Sequence, residues 1–143
     1  MTPLKKTRPE FRNINAFTDL TTYRLPLAGW VSILHRVSGA MMFLLMPFIV
    51  WMFDTSVSSE ISFEAFTAAL SAGLWIFPGA LVKLVVLGLM WAYTHHLIAG
   101  VRHLYMDARH AVSKEFGASS AKVVLALSLG LTAILGAKLF GLY

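Results

Sequence analysis

Three apolar stretches of membrane-spanning length decide what this chain can fold into. They run from about Leu27 to Phe53, from Leu74 to His103 and from Ala121 to Tyr143. A bilayer core asks for roughly 20 predominantly apolar residues in helical form, and backbone inside lipid must satisfy its own hydrogen bonds, so each stretch reads as a helix. The expected fold class is all-α: one integral membrane domain over residues 1–143, with three transmembrane helices (27–53, 74–103 and 121–143) behind an N-terminal segment, 1–26. Composition agrees, at 57% hydrophobic and 13% charged with a mean hydropathy of +0.70; soluble domains carry about twice that charged share. Pro26 suits a helix start, Asp54 is read as closing the first helix, and Pro47 is expected to kink it. Ser119 or Ser120 is the expected N-cap of the third. Between the first two spans, Ser56 to Ser59 followed by Phe63 to Leu70 suggests a short interfacial helix.

The net charge is +5, from twelve Lys and Arg against seven Asp and Glu. Their placement points to a membrane rather than to nucleic acid. Residues 1–26 hold Lys5, Lys6, Arg8, Arg12 and Arg24, whereas residues 54–73 hold no Lys or Arg and carry Asp54, Glu60 and Glu64. Arg102, Arg109, Lys114 and Lys122 follow. Basic residues collect at cytoplasmic helix ends, so the N-terminus is expected inside and the C-terminus outside. Residues 1–26 lack the apolar core of a secretory signal, and Glu10 and Asp19 argue against a mitochondrial presequence. No cysteine is present, which excludes iron–sulfur ligation by thiolates and covalent attachment of a c-type haem.

Two polar clusters interrupt the apolar segments, and four of the five histidines lie in them. The first is Ser32-Ile33-Leu34-His35-Arg36-Val37-Ser38-Gly39; the second runs from His95-His96 to Arg102-His103. Ionisable groups inside a membrane usually face a protein interior and mark a site. With the topology above, both clusters fall at similar depth in the cytoplasmic half. Ser32, His35, Arg36 and Gly39 share a helical face. Gly39 and Ala40 leave room for another helix or a flat ligand. Ser32 and Arg36 offer donors to a carbonyl or carboxylate; the alternative is that Arg36 snorkels to the interface and Ser32 bonds its own helix. His96 and His103 lie on one face, about 10 Å apart along the axis. A neutral imidazole such as His96 suits an axial position on haem iron, with a hydrogen bond to a neighbouring helix as its rival. His95 points a quarter-turn away, toward such a bond or an exposed position. His35 and His103 could reach propionates. Lys83 and Lys138 are read as snorkelling.

These residues resemble a known family. Ser32 to Gly39 looks like the S-x-x-H-R-x-[ST]-G signature of the cytochrome b membrane-anchor subunit of succinate dehydrogenase (respiratory complex II, SdhC type). His96, Gly100-Val101-Arg102-His103 and Asp107 look like its second signature, H-x3-G-[IV]-R-H-x3-D, and Arg8-Pro9 fits upstream. Where many relatives have R-P-x-S-P-H-L, this chain has Arg8-Pro9-Glu10-Phe11-Arg12, which leans toward a bacterial member.

The resemblance implies a three-helix anchor in a heteromeric bundle of the bacterial inner membrane. His96 would be an axial ligand of haem b, with the second ligand from a partner membrane subunit (SdhD type). Ser32 and Arg36 would line the quinone site, where ubiquinone is reduced. His35, Arg36 and His103 would lie around the haem propionates. A flavoprotein subunit, which oxidises succinate, and an iron–sulfur subunit would dock on the cytoplasmic face. The sequence keeps other readings open: the anchor of a quinol:fumarate reductase, a haem-free structural anchor, or a small proton-coupled transporter.

Overall fold

The structure is a computed structural model and describes residue 15 and residues 17–143; the Arg8-Pro9 pair lies outside them. After a one-turn helix α1 (Asp19–Thr22), the chain forms α2 (Leu27–Leu44), α3 (Met46–Val57), α4 (Glu60–Ser71), a two-stranded hairpin of β1 (Gly73–Leu74) and β2 (Phe77–Pro78), α5 (Gly79–Arg109) and α6 (Lys114–Leu139). Among the described residues, α2, α5 and α6 are long and apolar enough to cross a membrane. Exposed Leu44, Leu84, Leu97, Val101 and Ile134 line their outer faces. Such a surface belongs in lipid or against other apolar chains, and the fold is that of an all-α, multi-pass membrane protein.

The first span is interrupted at Leu45 (φ −92°, ψ 9°). Proline at 47 has no N–H for the carbonyl one turn back, and its ring disfavours helical backbone at Met46. The helix therefore breaks ahead of Pro47 and restarts as α3. Asp54 does not close it; α3 runs on to Val57. The expected interfacial helix is α4, opened by a capping box in which Ser59 Oγ accepts from the Ser62 N–H and Ser62 Oγ accepts from the Ser59 N–H.

Three boundaries differ from the hydropathy reading. The second span begins at Gly79 instead of Leu74, because Leu74 to Pro78 belong to the hairpin. Gly73 enters it with φ +119°, a conformation that L side chains rarely adopt. The span then continues past His103 to Arg109 and ends where His110 takes a left-handed conformation. The third begins at Lys114, capped by Ser113, whose Oγ accepts from the Phe116 N–H. Ser119 and Ser120 lie inside the helix, and Ser119 Oγ donates to the Phe116 carbonyl.

Small residues let the three long helices meet. Val31 of α2, Ala99 of α5 and Ala121 and Val124 of α6 form the buried centre, with Leu27, Ala28, Ile98 and Leu125 packed around it. Without a strong hydrophobic force inside lipid, such close contact and interhelical hydrogen bonds carry association. α5 is the middle element, packed on α2 along one face and on α6 along another.

Candidate functional site

The α2–α5 face gathers three of the four clustered histidines. The His35 and His96 rings stack at 4.1 Å between centroids with 20° between planes, and His103 lies 5.2 Å from His35, tilted by 44°. His96 Nδ1 is 3.0 Å from the backbone carbonyl of His35. A carbonyl only accepts, so Nδ1 carries the proton. The neutral tautomer then leaves the Nε2 lone pair uncommitted; orientation of a metal-binding imidazole through its other nitrogen works in this way. Ser38, fully buried, donates to the same carbonyl at 2.8 Å and lies 3.2 Å from His96 Nδ1.

The carbonyl can be approached so closely because residue 39 is glycine. A Cβ there would stand 2.9 Å from His96 Cε1, closer than real Cβ atoms come to a neighbour. The room expected at Gly39 is thus taken by the His96 ring of α5. On the opposite helix, a Cβ on Gly100 would stand 3.6 Å from His35 Nε2, an atom that is buried and has no hydrogen-bond partner among the described residues.

Ser32 and Arg36 sit one turn apart on α2. Ser32 is half-buried and Arg36 exposed. Among the described residues neither side chain has a hydrogen bond or ion pair. The hydroxyl and guanidinium donors therefore remain available on a surface that the other described elements leave open.

His95 and Arg102 face the other way. His95 is fully buried on the α6 side, its Nδ1 3.3 Å from Ser128 Oγ and its ring stacked on Trp91 at 5.4 Å. One turn of shared hydroxyls, Thr94 to Thr132 at 3.1 Å, continues this polar seam. The bond to a neighbouring helix expected for His95 is found. Arg102 points to α6 and away from the histidine stack: Nε donates to Ser120 Oγ at 2.8 Å and Nη2 to the Gly117 carbonyl at 3.3 Å. The role of Ser38 was not visible in helical spacing; its place in the S-x-x-H-R-x-[ST]-G pattern was the available signal.

Stacked side by side, His35 and His96 cannot grip one metal from opposite sides, because imidazole lone pairs lie in the ring plane. Among the described residues no group of three or more His, Asp or Glu is placed to hold a metal ion.

Residues 6–135 match the family of the transmembrane subunit of succinate dehydrogenase and fumarate reductase. The chain belongs to that family. It is 36% identical over 110 residues to the succinate dehydrogenase cytochrome b556 subunit of Coxiella burnetii, covering 77% of this chain and 83% of the relative. It is 31% identical over 115 residues to the subunit of the same name in Paracoccus denitrificans, covering 80% and 83%. The cytochrome b560 subunit of Reclinomonas americana is 29% identical over 115 residues, covering 80% and 78%. The chain is thus a cytochrome b-type membrane subunit of an enzyme complex, with catalytic subunits elsewhere.

Proposed function

We propose that this chain is the haem b-binding anchor of a succinate:quinone oxidoreductase, holding the flavoprotein and iron–sulfur subunits at the membrane and contributing half of a haem site and part of a quinone site. The arrangement of His96 carries the reading: Nδ1 is tied to a backbone carbonyl and Nε2 is free, on a helix face narrowed by Gly39. That donor set fits haem iron, which His96 would hold together with a residue of a partner membrane subunit. Haem, when bound, supplies a one-electron redox centre next to the quinone pocket. His35, with its buried unpartnered Nε2, together with His103 and Arg36, would offer donors to the propionates.

Ser32 and Arg36 would hold a quinone carbonyl. Donors fixed in a dry pocket favour the oxygen as negative charge develops on it. The quinone takes up two electrons and two protons, the protons arriving through water from the cytoplasmic side. The relatives' names favour succinate oxidation as the working direction; a fumarate-reducing anchor would use the same residues.

Gly39→Ala tests the cradle. The added methyl must displace the His96 ring, so the expected result is a shifted haem potential and an altered b-type spectrum in an assembled complex. An unchanged spectrum and potential would remove Gly39 from the site.

The orientation, N-terminus cytoplasmic and C-terminus periplasmic, rests on the Lys and Arg asymmetry; the bacterial inner membrane is what the family resemblance implies. The chain has no cysteine, so single cysteines report cleanly. Ser58→Cys, before α4, should react with an impermeant thiol reagent added from the periplasm. Val112→Cys, in the exposed α5–α6 turn, should not. The opposite pattern would invert the topology.

A further inference from the structure

The α5–α6 face holds a cation whose counter-charge the described residues do not supply. Arg102 is only 8% exposed. Its two hydrogen bonds, to the Ser120 hydroxyl and the Gly117 carbonyl, are to neutral acceptors. Among the described residues no carboxylate forms an ion pair with it. A desolvated guanidinium without an anion is unfavourable, and with five N–H donors it has several left after these two bonds.

Its surroundings state what kind of anion fits. Arg102 lines an open groove of about 450 Å³ whose polar residues, Arg102, Tyr105, Ser119 and Ser120, lie toward one end and whose remaining length is apolar, along Ile98, Val123 and Leu127. Arg102 is seven residues before the end of α5 at Arg109, and Ser119 six after the Ser113 cap of α6, so both lie roughly 10 Å in from the helix ends. At 31 residues, α5 is about 46 Å long and exceeds a hydrocarbon core of about 30 Å by about 16 Å. A residue about 10 Å from its end therefore stands near the boundary between headgroups and acyl chains. Lys122, exposed and one turn further along α6 than Ser119, adds positive charge nearby.

We propose that this groove is a binding site for an anionic phospholipid, with the phosphate on Arg102 and the Tyr105 hydroxyl and one acyl chain lying along Val123 and Leu127. The site is on the α6 side of α5, away from the His35–His96 stack, and does not depend on the haem assignment. The bonds of Arg102 to Ser120 and Gly117 hold α5 to α6, and the donors left over from them would take the phosphate.

The test uses the intact complex in nanodiscs of phosphatidylcholine with or without phosphatidylglycerol, followed by detergent extraction and lipid analysis. The wild type should retain phosphatidylglycerol in preference to phosphatidylcholine. Arg102→Gln should lose that preference and Arg102→Lys should keep part of it. Val123→Trp guards against a folding effect: Val123 is 56% exposed, and its replacement fills the groove without touching the Arg102 bonds. It too should lose the retained lipid while the complex stays assembled. Equal retention of both lipids by the wild type, or full preference in Val123→Trp, would overturn the proposal. A photo-crosslinking residue at Val123 gives the second readout. A lipid adduct supports the site; an adduct with a partner subunit or with the chain's own N-terminal segment would assign the groove to protein.

Discussion

Replacing His96 with leucine is expected to abolish the b-type spectrum of the complex, while replacing its neighbour His95 leaves that spectrum in place. The two side chains differ by one residue in sequence and by helix face in structure. His96 lies against α2 with Nδ1 on the His35 carbonyl. His95 is enclosed against α6, with Ser128 on Nδ1 and Trp91 over its ring. A flat macrocycle cannot reach His95 Nε2 without separating packed helices. His95→Leu removes a buried interhelical hydrogen bond, which costs on the order of 1 kcal/mol, so lowered thermal stability with normal haem content is the expected pattern. Haem loss in His95→Leu together with a normal spectrum in His96→Leu would exchange the two roles.

The second large effect is expected at the open face of α2. Ser32→Ala and Arg36→Leu should strongly lower succinate–quinone reductase activity, by about 10²–10³ if a positioned donor to developing charge is lost as it is from an oxyanion hole. Succinate oxidation with an artificial acceptor that takes electrons ahead of the membrane should persist, since the proposed function puts that chemistry on the catalytic subunits and not on this chain. Ser32→Ala is the cleaner variant: the Ser32 hydroxyl has no bond to the described residues, so its removal leaves the helix packing intact. Arg36→Leu can also loosen a propionate contact, and its haem content should be measured alongside. Unchanged rate and apparent quinone affinity in an assembled Ser32→Ala complex would reduce Ser32 to a packing residue.

The sequence carries the helices more clearly than their ends. Apolar runs of about 20 residues mark the spans, but hydropathy does not distinguish a helix from an apolar turn. Leu74 to Phe77 are as apolar as the residues after them, yet Gly73 at φ +119° turns them into a hairpin and helix α5 waits for Gly79. In the other direction, α5 continues for two turns past His103 because leaving the hydrocarbon core does not end a helix; the left-handed His110 does. Pro47 was legible as a disturbance, and the break falls two residues earlier, at Leu45, where the chain must yield ahead of the ring.

Within the site, spacing placed His35, His96 and His103 toward one region and set His95 apart, and the structure brings the three together. Spacing could not reveal the carbonyl of His35 as the partner of His96, because that contact depends on how closely two helices approach and therefore on Gly39. Nor could it separate Arg102 from His103. Adjacent residues on α5 face different neighbours, and only the packing of α6 shows that Arg102 is committed to Ser120 and Gly117.

The most direct measurement is a reduced-minus-oxidised optical spectrum of the complex purified through a tag on this chain, with its subunits identified in the same preparation. A b-type band should accompany a flavoprotein, an iron–sulfur protein and a second membrane subunit. A fully assembled, quinone-reducing complex with no b-type band would contradict the haem assignment of His96.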